Sequence, residues 1–241
     1  MIASIKNILL NKIYGTPNLK NIPIIINNYN RLTTLKILIE SLKVRGYNNI
    51  HILDNLSTYE PLIEYYNLNP DNLTIYRLKK NYGFKSLWKS GLWYKFMFNY
   101  FCYTDSDLEI IKDCPEDFMS IFYKLLNKYP SVYKVGFSLK IDDLPDYYTK
   151  KQEVLNWEGK FNQIFKENNI YIAPIDTTFA LYRPFSKRGK RDGSQEMLRS
   201  GYPYQCKHLP WYNDCNNLSE EEKFYLNSLQ KPTHWSNQTN K

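Results

Sequence analysis

The chain has 241 residues, enough for one α/β domain with a sizeable core, and its 43% hydrophobic and 16% aromatic content excludes a disordered tail. The formal charge of +8 favours anionic partners, but Lys and Arg are scattered apart from "RPFSKRGKRDG" at 183–193. No basic arm or nucleic-acid motif is present, so nucleic acid is not an expected partner. The cysteines at 102, 114, 206 and 215 form no CxxC, and Cys206, His208 and Cys215 match no standard zinc spacing. A reduced, cytoplasmic chain is expected, whose charge would also suit a membrane surface. No apolar run approaches the ~20 residues of a membrane helix, and "MIASIKNILLNKIYG" is too interrupted for a signal peptide. The 22 tyrosines accompany abundant Asn, Lys and Ile and carry no argument alone.

In chain order, "IPIIINNYN" predicts a buried strand over 22–27. Leu32, Leu35, Ile39 and Leu42 recur at helical spacing, and Gly46 closes that helix. "NIHILDN" is a strand ending at Asp54, and "LTIYRL" (73–78) is a third. "SLWKSGLWYKFMFNY" predicts one helix from about Ser86, before a fourth strand in "YFCYTD". "CPEDFMSIFYKLLNKY" predicts a helix opened by Pro115 and acids, and "VYKVGFSL" (132–139) a strand. This alternation predicts a mostly parallel sheet with helices on both faces. Beyond Lys140 come an acidic loop, "IDDLPDYYTKK", and a helix in "EVLNWEGKFNQIF". "IYIAPIDTTFALYRP" predicts short strands broken at Pro174, and "LSEEEKFYLNSLQ" a helix with Ser219 near its start. No repeat or low-complexity linker divides the chain, so 1–241 reads as a single domain.

The strands end in polar residues. Asn27-Asn28-Tyr29-Asn30 follows the first, Asp54-Asn55 the second, Asn81-Tyr82-Gly83 the third, and Asp105-Ser106-Asp107 the fourth. Ligands of such sheets bind at the carboxyl ends of the strands. Two carboxylates one residue apart repel each other, and a hard cation such as Mg²⁺ or Mn²⁺ would cancel that repulsion. Taken alone, the pair reads first as an acidic turn capping the following helix.

The run "PIIINNYNRLTTLKILIESL…IHILDNLS…NYGF…YTDSDLE" resembles the GT-A fold glycosyltransferases, family 2-like members above all, over about Ile22 to Ile111. "GFSLKIDDLPD", "PIDTTFALYR" and "HLPWY" resemble a smaller bacterial and viral subgroup. The resemblance implies a GT-A, Rossmann-like fold with a nucleotide-sugar-binding half at about 20–112, an acceptor half at 113–230 and a loose tail at 231–241. It implies a metal-dependent hexosyl- or deoxyhexosyl-transferase of inverting mechanism, using a UDP-, GDP- or dTDP-sugar, a glycan acceptor and Mn²⁺ or Mg²⁺. Asp54 would accept a hydrogen bond from the base, with Asn28 and Tyr29 lining base and ribose. Gly83 would let the backbone approach the nucleotide, and Arg31, Asn55, Lys85, Asp105 and Ser106 complete the donor set. Asp105, Asp107 and a late histidine would hold the metal, His208 ahead of His234.

An acceptor hydroxyl needs a base as it attacks. No Glu-Asp motif supplies one in the second half, which leaves Asp176, then Asp143, then Asp142. Trp157 and Trp211 are candidate platforms for the acceptor, and the basic loop a candidate cover for the diphosphate. Two alternatives share the pattern. A sugar nucleotidyltransferase would carry a Gly-rich loop after the first strand, which "NNYNRL" lacks. A degenerate sugar-binding scaffold would not need an intact pair of aspartates.

Overall fold

The computed structural model describes residues 17–186 and 196–229. The first four strands are β1 (Ile24–Asn28), β2 (Ile50–Asp54), β3 (Thr74–Arg77) and β4 (Phe101–Asp105). They pair in parallel, in the order β3-β2-β1-β4. Ile24, Ile25 and Ile26 are fully buried because both faces of the sheet are covered. Helices α1 (Thr33–Lys43) and α2 (Glu60–Leu68) connect these strands. Leu35, Leu38, Ile39 and Leu42 form the buried stripe of α1, and Gly46, at φ +78°, ends the turn after it. The helix α2 has no counterpart among the elements expected from the sequence.

The single helix expected from Ser86 is broken. It forms a 3-10 turn at Gly83–Lys85 and two short pieces, α3 (Ser86–Lys89) and α4 (Trp93–Phe96). Gly91 lies between them at φ +81°, where an α-helix cannot continue. The helix α5 (Phe118–Lys128) starts three residues after Pro115, and buries Phe118, Met119, Phe122, Leu125 and Leu126.

The second half extends the same sheet. Strands β5 (Leu108–Ile110), β6 (Val132–Leu139), β7 (Phe165–Glu167), β8 (Ile170–Ile172), β9 (Ala180–Tyr182) and β10 (Glu196–His208) join α6 (Lys151–Glu158) and α7 (Glu220–Ser228). β9 inserts antiparallel between β4 and β6, and β10 runs parallel to β6. The predicted break at Pro174 is present, between β8 and β9. No strand was expected at β10, where Gly, Pro and polar residues obscure the pattern. β5 leaves the main sheet after Asp107 and pairs with the last residues of β10. Thus the aspartate pair does not cap a helix; it spans the turn between two strands.

β6 is buried along its whole length. A Cβ on Gly136 would lie 2.3 Å from the Phe179 carbonyl oxygen and 2.8 Å from the Ala180 Cβ. Gly136→Ala is therefore expected to cost about 1–3 kcal/mol by forcing β9 away from β6. Urea denaturation reads this directly, and an unchanged midpoint would contradict it.

Candidate active site

The strand order reverses between β1 and β4, and this switch point is where an open α/β sheet forms its crevice. Asn27 and Asp105 are register partners there, and Asn27 Nδ2 donates to Asp105 Oδ1 at 2.9 Å. Asn27 Oδ1 in turn accepts from Asn55 Nδ2 at 2.5 Å and Ser86 Oγ at 2.6 Å. Asn27 is thus the hub that fixes Asp105, a role the sequence did not single out. The clue was strand parity: adjacent residues face opposite sides, so Asn27 and Asn28 serve different environments.

Asp107 lies past the strand end. Its Oδ2 accepts from Arg31 Nη1 at 2.7 Å and lies 3.5 Å from His208 Nε2. The β5–β10 pairing brings His208 there, and the Leu209 N–H donates to the Asp107 carbonyl at 2.9 Å. Burial pushes the Asp105 carboxyl up, and Asp107 adds to the rise. Burial would also raise Asp107, but His208 and Arg31 together outweigh it and hold its carboxylate below the usual range.

Asp176 is exposed beside this pair. The Asp105 N–H donates to the carbonyl of Thr177 at 3.0 Å, and the Asp176 charge contributes to the rise of Asp105. Asp143 points elsewhere: its carboxylate accepts from Tyr212 at 2.5 Å and pairs with Lys207 at 2.9 Å. Lys207 precedes His208 on β10 and so faces the other side of that strand. Asp142 pairs with Lys140 at 2.6 Å.

The nucleotide candidates divide into two groups. Asp54 is fully buried; its Oδ2 accepts from Arg77 Nε at 2.9 Å and the Ser57 N–H at 3.2 Å, while Oδ1 has no partner. Asn28 donates to the Tyr66 hydroxyl at 2.8 Å, and its own buried Oδ1 also lacks a partner. Asn55 tethers the next loop through the Gly83 carbonyl at 3.2 Å and the Tyr82 N–H at 3.1 Å. Gly83 has φ +59° with nothing near the position of a Cβ, so its backbone is open to a ligand. Lys85 is exposed on the same loop, whereas Ser106 is buried in the aspartate turn.

Trp211 is 2% exposed and packs on His208 at 4.7 Å, so it is wall and not an open platform; Trp157 is exposed. Arg183 is buried under β6 and α5 carbonyls, so the first residue of the basic stretch is not part of a cover. Residues 187–193 of that stretch, His234 and the tail at 231–241 lie outside the described residues.

The remaining wall is α7, to which the sequence assigned no site role. Tyr29 donates to the Ser228 carbonyl at 3.0 Å, and Arg31 pairs with Glu222 at 2.8 Å. The Arg31 guanidinium also stacks on Tyr225 at 3.8 Å. A cavity of about 440 Å³ between α5 and the β7–β8 turn contains none of these groups.

Among the described residues, no three His, Cys, Asp or Glu side chains are grouped to hold a metal ion. Asp107 Oδ2 and His208 Nε2 are the donors that would hold a divalent cation, the carboxylate being of the oxygen type that Mn²⁺ and Mg²⁺ take, and the His208 Nδ1 is buried and unpartnered. In this conformation Arg31 supplies the positive charge at Asp107.

A parallel sheet with carboxylates at its switch point and an antiparallel extension behind is the architecture of the GT-A glycosyltransferases. The model of glycosyl transferase family 2 matches residues 24–187, and the chain belongs to that family. No curated protein sequence matches it. Among solved structures it is similar to GalNAc-T7 with UDP, GalNAc and Mn²⁺, at 15% identity and a TM-score of 0.51, covering 80% of this chain and 44% of that one. It is also similar to TarS of S. aureus, at 13% identity and a TM-score of 0.48, covering 85% and 38%. A cytidylyltransferase of Leptospira borgpetersenii matches at 11% identity and a TM-score of 0.36, covering 58% and 71%. The chain thus spans less than half the length of the first two. Among the described residues no helix is long and apolar enough to cross a membrane.

Proposed function

We propose that this chain is a metal-assisted glycosyltransferase acting on a nucleoside diphosphate sugar, of the hexosyl or deoxyhexosyl class, with a glycan hydroxyl as acceptor. The observation that carries this reading is the meeting of Asp105, Asp107, His208 and Asp176 at the switch point, from separate segments of the chain. The acceptor oxygen attacks the anomeric carbon and its proton passes to Asp176. The bond from the anomeric carbon to the diphosphate oxygen breaks, and the electron pair leaves with the nucleoside diphosphate. This single displacement inverts the anomeric centre. A dication at Asp107 and His208 would supply charge to the departing diphosphate. Asp105, held by Asn27, orients the donor, and Asn28, Tyr29, Asp54, Asn55 and Gly83 form the nucleotide side.

Thermal shift against UDP, GDP and dTDP, each with and without Mn²⁺, tests the reading. One nucleotide is expected to stabilise the chain only with Mn²⁺, by about 2.7 kcal/mol at a hundred times its Kd. Asp107→Ala is expected to remove that shift. No stabilisation by any of the three would defeat the proposal.

A further inference from the structure

At the carboxyl end of β1, two neighbouring groups attract anions. One is the guanidinium of Arg31, 5% exposed. The other is the first turn of α1, where Thr33 offers its N–H and its hydroxyl. Each is covered by a carboxylate of α7. Glu222 Oε1 accepts from Arg31 Nη2 at 2.8 Å. Glu221 accepts from the Thr33 N–H at 3.0 and 3.1 Å and from its hydroxyl at 3.0 Å.

These two acids are the buried residues of α7. A helix held as a permanent wall buries an apolar stripe, because apolar burial is what stabilises such packing. Burying carboxylates instead costs free energy unless each is paired. The other contacts of α7 are also polar or aromatic: Ser228 meets Tyr29 and Asn30, Tyr225 meets Arg31, and Phe224 lies 5.1 Å from Tyr59. Arg31 keeps a further donor in hand, since its buried Nε has no partner.

We propose that α7 is a displaceable latch whose Glu221 and Glu222 occupy, in the ligand-free protein, the two positions on Thr33 and Arg31 that receive a diphosphate. This rests on the glycosyl-transfer reading for the identity of the diphosphate, as that of the sugar donor. Two adjacent carboxylates from one helix reproduce the paired negative charges of that group. An entering diphosphate takes the donors of Arg31 and Thr33, and α7 leaves with its acids to water.

The test is hydrogen exchange on the full chain, alone and with inorganic pyrophosphate or with UDP, GDP or dTDP and Mn²⁺. The α7 amides are expected to exchange at least about tenfold faster at saturation, since the helix is released. Calorimetry with pyrophosphate supplies the second readout. Glu222→Gln is expected to bind about tenfold tighter, because less of the protein is held closed. Glu220→Gln removes the same charge from an exposed residue that pairs with Lys223, and is expected to bind as the parent does. Unchanged or slower exchange of α7 with saturating ligand, or equal affinities in the two variants, would overturn the latch. If pyrophosphate releases α7 but no nucleoside diphosphate competes with it, the latch stands and the glycosyl-transfer reading falls. A nucleoside diphosphate that binds without releasing α7 overturns the latch and leaves the glycosyl-transfer reading standing. Absence of binding by every probe defeats both.

Discussion

Asp176→Asn is expected to transfer sugar about 10²–10⁴-fold more slowly than the parent while binding nucleoside diphosphate equally well. The substitution keeps the shape of the side chain and removes its capacity to accept a proton. Asp176 is exposed, so the fold does not depend on its charge in the way it would on a buried carboxylate. Its position follows from the segment leading into β9, where the Thr177 carbonyl accepts from the Asp105 N–H and so holds Asp176 near Asp105. The alternative base, Asp143, is engaged by Tyr212 and Lys207. Burial opposes ionisation of Asp143, but those two hydrogen bonds prevail and lower its pKa, which makes it a weaker base. Steady-state kinetics and calorimetry on one preparation check both halves. Transfer by Asp176→Asn at close to the parent rate would remove the residue from the mechanism.

Arg31→Ala is expected to destabilise the protein by about 3–5 kcal/mol, the typical cost of removing one partner from a buried ion pair. The guanidinium joins Asp107 and Glu222, and all three side chains are at most 18% exposed. Without it, Asp107 keeps His208 as a neighbour, while Glu222 loses its partner. Release of α7 would carry Glu222 into water and place the loss near the lower end of that range. Arg31→Lys is expected to recover part of the stability, because an ammonium keeps the charge but not the fork that reaches two carboxylates. Urea denaturation of the three proteins measures this. A change of less than about 1 kcal/mol in Arg31→Ala, the scale of an exposed pair, would show that the carboxylates do not depend on Arg31.

Much of the site's first half was legible in the sequence because it is local. Apolar runs that end in Asn27-Asn28, Asp54-Asn55 and Asp105-Ser106-Asp107 mark buried strands emerging at one edge, and β1, β2 and β4 end within those polar groups, at Asn28, Asp54 and Asp105. The helix expected from Ser86 rests on an apolar spacing that runs through Gly91, whose positive φ breaks it. Strand β10 is hidden in the sequence because buried and half-buried positions do not alternate along it, and its pairing with β6 shifts register between Ser200 and Gln205.

By itself, then, the sequence determined the order of the early elements and the chemistry at their ends, since burial imprints a period on consecutive residues. Tertiary structure alone decided which distant groups meet. His208 reaches Asp107 through the pairing of β5 with β10, and Glu222 reaches Arg31 because α7 folds back across the β1–α1 turn. Neither contact leaves a local pattern: strand register and helix docking are set by partners far along the chain, so the charges of Asp107 and Arg31 acquire their roles only in the folded protein.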